Sequence, residues 1–170
     1  MAAVDEAEIN KFEQLAAQWW DPEGKFKPLH RIQPLRLDYI REAVDLQGKR
    51  ALDVGCGGGL LTEGMAEAGA AVTGVEPGEA AVGAARAHLK VSGLEVDYRQ
   101  GEAADLLADG VEPFDVITCM EVLEHVPDPA VLVDECARLL KPGGTLFFAT
   151  LNRTVRSYLM AIIGAEYILG

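Results

Sequence analysis

The chain has 170 residues, enough for one domain with one sizeable core, and 49% hydrophobic with 25% charged residues excludes disorder as the default. Lys+Arg 15 against Asp+Glu 27 gives a net charge of −12, a field that argues against sequence-independent binding of nucleic acid. Cys56, Cys119 and Cys136 are odd in number and lack CxxC spacing, which points to unpaired thiols in a reducing compartment rather than a disulfide framework.

The N-terminal MAAVDEAEIN is acidic and has no apolar h-region, so no secretory signal is expected. Ile9, Phe12, Leu15, Ala16 and Trp19 recur at helical spacing and predict a helix over 7–20, stopped by Asp21-Pro22-Glu23-Gly24. A second amphipathic stretch is predicted from Gln33-Pro34, carrying Leu35, Leu37, Ile40, Ala43 and Val44 and ended by Gly48. Ala51 to Val54 then reads as a short buried strand running into Gly55-Cys56-Gly57-Gly58-Gly59, with a helix over 60–68 closed by Gly69. Further strands are predicted at 71–75, 95–99, 114–119 and 145–150, and further helices at 79–92, 102–107, 129–140 and 154–169. Asp128 is the expected N-cap of the helix that starts at Pro129, and Lys141-Pro142-Gly143-Gly144 a stop and turn before the fifth strand.

Short apolar strands alternating with amphipathic helices imply an α/β fold, a parallel sheet with helices on both faces. Strand, glycine loop, helix is the ligand crevice of a Rossmann-like sheet, since glycines let the backbone turn sharply and approach a ligand closely. The pattern Asp53-x-Gly55-x-Gly57-x-Gly59 puts Leu60 where a dinucleotide fingerprint has its last glycine. Asp53 beside the loop disfavours a pyrophosphate and suits a cationic ligand, and S-adenosylmethionine carries a sulfonium and an ammonium without phosphate. Glu76, at the end of the second strand, stands where such folds place an acid on ribose hydroxyls. Phe114-Asp115-Val116-Ile117 and Leu140 to Gly144 are similar to the fourth strand of class I methyltransferases and the turn before their fifth.

The ends are more specific. Trp19 to Ile32 with Pro34-Leu35-Arg36, then Thr118 to Pro129, Thr150 to Arg153 and Gly164 to Leu169, resemble the ubiquinone-biosynthesis O-methyltransferases from about Phe12 onward. The resemblance implies cofactor contacts at Arg36, Gly55, Glu76 and Met120, with Asp53, Cys56 and Gly57 beside them in the loop segment. It also implies methylation of a phenolic hydroxyl on a polyprenylated catechol-type ring, with S-adenosylmethionine as the donor. The family continues beyond the fifth strand, so the last strands and much of the substrate-side wall are expected to be missing from this chain.

Glu121, Glu124 and His125 follow the fourth strand, and a helical segment would place all three on one face. Two carboxylates and an imidazole can hold a divalent metal, Mg²⁺ first, which would acidify a bidentate catechol. The resemblance points the same way. The alternative for His125 is a general base or a packing residue, with Pro127 limiting any helix. His88, among charged neighbours, is expected to be solvated; His30 either lines the substrate entrance or packs at the surface.

The expected organisation is an N-terminal helical lid over 1–47, anchored by Trp19, Trp20 and Phe26, and a cofactor-binding domain over 48–170. The segment 154–169 crowds apolar residues behind Arg153 and Arg156 and reads either as a core helix or as one that contacts membrane. A cytoplasmic protein that visits the inner face of the membrane, with other ubiquinone-pathway proteins as partners, is the expectation that follows from the second reading.

Overall fold

The computed structural model describes residues 18–150; the helix predicted over 154–169 and all but residues 18–20 of the one predicted over 7–20 lie outside the described residues, and 18–20 form a turn rather than an α-helix. The elements in order are α1 (Lys27–Ala43), β1 (Arg50–Val54), α2 (Leu60–Glu67), β2 (Ala71–Glu76) and α3 (Glu79–Ser92), followed by β3 (Val96–Gln100), α4 (Ala103–Ala108), β4 (Phe114–Met120), α5 (Pro129–Leu139) and β5 (Leu140–Ala149). All ladders are parallel, in the order β3-β2-β1-β4-β5. The chain reverses its direction of travel across the sheet between β1 and β4, so the crevice opens at their carboxyl ends.

Period-two alternation sends neighbouring residues of each strand to opposite faces. Leu52, Val54, Ile117 and Cys119 pack with Leu106 of α4 and Leu132, Cys136 and Leu139 of α5. Ala51, Val72 and Val116 pack on the other face with Ile40 of α1 and Leu61 and Met65 of α2. Both faces are therefore dry, which is why the central strands read as nearly unbroken apolar runs. The three cysteines are buried and free.

Three expectations need correction. Helix α1 begins at Lys27 with Pro28 in its first turn, so Pro34 lies inside it; Pro34 is exposed, and a single lost N–H is tolerated there. Strand β5 starts at Leu140 rather than after the glycines. Leu140 pairs with Phe114 and Thr145 with Val116, so Lys141 to Gly144 form an excursion within the ladder. Asp115 fills it, accepting hydrogen bonds from Lys141 Nζ and Arg50 N at 2.9 Å each. Lastly, residues 121–125 are turn and bend, not helix. Glu121 has φ 57°, the left-handed region, and the chain leaves the sheet there.

Helix α5 is as expected: Asp128 caps it by accepting from Ala130 N at 3.0 Å, with Pro129 in the first turn.

Candidate active site

β1 ends in a loop whose Gly55, Gly57 and Gly59 take φ of 69°, 53° and 90°. Those angles need glycine. Gly55 N and Cys56 N both bond to Val75 O, which ties the loop to β2. Glu76, the last residue of β2, accepts from Gly57 N at 3.1 Å and from Gly78 N at 2.9 Å. Burial holds its carboxyl above the usual value, with those two N–H groups opposing the shift. A loop N–H that would serve a pyrophosphate is thus already engaged by a carboxylate.

Asp53 is 3% exposed beneath the loop. Its two oxygens accept from Thr62 Oγ1 and Thr118 Oγ1, each at 2.7 Å, so it joins β1 to α2 and β4. Burial raises its pKa, while the two hydroxyls and the charge of Arg36 act against that. Cys56 is buried beside it, and desolvation followed by the charge of Asp53 pushes its thiol well up; it is a packing residue, not a nucleophile.

A cavity of about 250 Å³ lies over these groups. Arg36, Asp53, Gly55, Cys56, Gly57, Glu76, Met120, Glu121 and His125 all line it, from stretches that the sequence scatters between α1 and the loop after β4. Glu124 is not among its walls. Gln33, one turn before Arg36, lines it too and donates to Leu60 O at 3.2 Å; its helical spacing from Arg36 was the available signal. Thr62 and Thr118, which hold Asp53, gave no sequence signal at all.

Trp19 closes one wall. A Cβ on Gly57 or Gly58 would come within 2.4 and 2.2 Å of its ring, so the glycines accommodate an indole as well as a turn. Phe26 stacks behind it at 4.2 Å, and His30 Nε2 lies 2.9 Å from Trp19 O. His30 therefore packs against the Trp19 backbone and is not a cavity wall. Trp20 donates to Gly58 O and stacks on His88, whose Nδ1 lies 3.0 Å from both oxygens of buried Glu63. His88 is accordingly not solvated as expected; it links α3 to the aromatic pair.

At the far side Arg36 Nη2 meets Glu121 Oε1 at 2.5 Å. Burial, then a hydrogen bond with Glu124, raises the Glu121 pKa, and Arg36 counters. Glu124 also accepts from Thr150 Oγ1 at 2.8 Å. Glu121, Glu124 and His125 do not come together as a metal-holding group, and no set of three His, Cys, Asp or Glu does so among the described residues. The reason is local: the left-handed turn at Glu121 replaces the helix that would have aligned them, and a guanidinium holds the first carboxylate.

Residues 52–148 match the methyltransferase-domain family. The chain is 57% identical over 169 residues to the ubiquinone biosynthesis O-methyltransferase of Stutzerimonas stutzeri, covering 99% of this chain and 73% of the relative. It is 58% identical to the enzyme of that name from Azotobacter vinelandii, with the same coverage. In fold it is similar to magnesium protoporphyrin IX methyltransferase (ChlM) from Synechocystis PCC 6803 with bound SAM, at a TM-score of 0.67 and 23% identity, covering 83% of this chain and 74% of that one. Sequence, sheet order and glycine crevice agree: the chain belongs to the ubiquinone biosynthesis O-methyltransferases and is a SAM-dependent methyltransferase.

Proposed function

We propose that the protein methylates a phenolic hydroxyl of a polyprenylated catechol-type ring, a demethylubiquinol-class intermediate of ubiquinone biosynthesis. The observation that carries this reading is the charge pattern of one cavity, three carboxylates at the carboxyl ends of β1, β2 and β4 facing one guanidinium from α1. That set suits a phosphate-free cation with a single carboxylate, and the names of the relatives support the pathway.

When bound, S-adenosylmethionine supplies an electrophilic methyl group on its sulfonium. Glu76 keeps lone pairs for ribose hydroxyls beyond the two N–H groups it already accepts. Arg36 presents a planar fork to the carboxylate, and Met120 gives an adaptable apolar wall toward the adenine or sulfonium. Gly55, Cys56 and Gly57 bring the backbone close, and Asp53 fixes the loop while keeping the local potential negative. His125, on the loop beside Glu121, takes the phenolic proton; a phenol with a pKa of about 10 needs such a base near neutral pH. Because the three candidate ligands do not fit a metal as placed, no step is assigned to one.

Residues 18–47 act as the lid of this cavity, with Trp19 and Trp20 as its clasp. No helix among the described residues is long and apolar enough to cross a membrane; contact with the inner membrane face is proposed from the acceptor's tail alone. The test is turnover of a short-tailed catechol with labelled cofactor. Wild type yields labelled methyl ether, and His125→Ala slows it about 10²-fold or more while cofactor affinity holds. Equal turnover in the variant removes the base, and no methyl ether from any catechol removes the substrate class.

A further inference from the structure

We propose that Glu121 gates the amino-acid end of the cofactor: its carboxylate holds Arg36 and is exchanged for the carboxylate of the incoming S-adenosylmethionine. The inference rests on the reading above, that the cavity takes this cofactor with its carboxylate at Arg36.

Arg36 is the only Arg or Lys among the described residues that line the cavity. The acids around it are not equivalent. Asp53 accepts from Thr62 and Thr118, and Glu76 accepts from Gly57 N and Gly78 N. Only Glu121 is joined to the guanidinium, with side-chain exposures of 16% for Arg36 and 33% for Glu121. An entering carboxylate therefore finds a single cationic partner that an internal carboxylate already occupies. The two compete for the same fork of donors.

The surroundings allow the exchange. Glu121 is the only non-glycine residue with positive φ among those described, and its N–H is fastened to Ala149 O at 2.7 Å. A side chain held on so restricted a backbone can swing only about its own torsions. A second partner, Glu124, lies within hydrogen-bonding reach of Glu121. His125 and Val122 line the cavity immediately beyond. Cofactor binding thus turns Glu121 from Arg36 toward the wall where the acceptor hydroxyl must lie, and couples occupancy of one subsite to the shape of the next.

The experiment is calorimetry with S-adenosylmethionine and with 5′-methylthioadenosine, which keeps the adenosine and lacks the amino acid. Wild type, Glu121→Gln and Arg36→Gln are compared through the ratio of the two affinities. Glu121→Gln should raise that ratio about fivefold, the worth of a half-buried ion pair. A ratio that is unchanged or lowered overturns the gate, and because methylthioadenosine reports folding in the same sample, a damaged variant is read on the same scale. Glu121→Asp, which keeps the charge and shortens the reach, should give an intermediate ratio. Arg36→Gln should lower the ratio at least tenfold; if it does not, the assignment of the carboxylate to Arg36 fails rather than the gate.

Discussion

Trp20 lies flat on the ring of His88, centroids 3.3 Å apart and planes within 4°, while its indole N–H reaches Gly58 O at 2.8 Å. One side chain thus ties α3 to the glycine loop through a stack and a hydrogen bond at once. Trp20→Phe keeps the ring and drops the N–H, and should cost about 1 kcal/mol in denaturant unfolding. Trp20→Ala removes both and should cost about 2–3 kcal/mol, with cofactor affinity falling in parallel. Equal stability of the two variants would show that the stack contributes nothing.

Gly58 is not in the left-handed region, so a substitution there tests space alone. Its Cβ would sit 2.2 Å from the base of the Trp19 ring, a part of the side chain that cannot bend away. Gly58→Ala should destabilise by about 1–3 kcal/mol and weaken the cofactor. Trp19→Leu in the same chain should recover part of the stability. Failure of the second substitution to help would mean that the alanine acts through something other than the indole.

The buried Asp53 gives a pH signature. Its folded carboxyl titrates above the ordinary 3.8, because burial outweighs Thr62, Thr118 and Arg36. The folded state therefore holds the proton to a higher pH than the unfolded chain does, and stability falls as pH rises from 3.8 through the raised value. Asp53→Asn has no such proton. The wild type should exceed the variant most at or below pH 3.8, with the margin shrinking as pH rises above it in urea titrations. Asp115 works in the opposite sense, since Lys141 and then Arg50 N hold it low, but it is common to both proteins and cancels in the difference. A margin that widened with pH would contradict the assignment.

With Arg36 on Glu121 and Thr150 on Glu124, a divalent ion meets no assembled ligand set in the protein without cofactor. Titration with Mg²⁺ alone should show no site tighter than about 10⁻³ M. A micromolar site abolished by Glu124→Ala would restore the metal triad.

The element order was legible because apolar runs and glycines alternate so regularly, and the bounds of α3 agree to the residue with those read from its periodicity. What escaped is what distance in sequence hides. Two prolines compete to start α1, and periodicity alone does not say that Pro28 begins the helix while Pro34 sits within it. Lys141 to Gly144 have the composition of a turn, and only the partner strand, with Asp115 set against them, makes them an interruption of a longer ladder. The cavity walls were readable as residue types and motifs. Their pairings were not: Arg36 and Glu121 are 85 positions apart, and the helical spacing expected for Glu121, Glu124 and His125 dissolves at one left-handed residue.

Every described wall residue of the cavity lies between Trp19 and His125. Helix α5 and strand β5 contribute none; they shore up β4 from behind and beside it. Among the described residues, a substitution in either of these two elements can therefore reach the cavity only by way of the strand they brace.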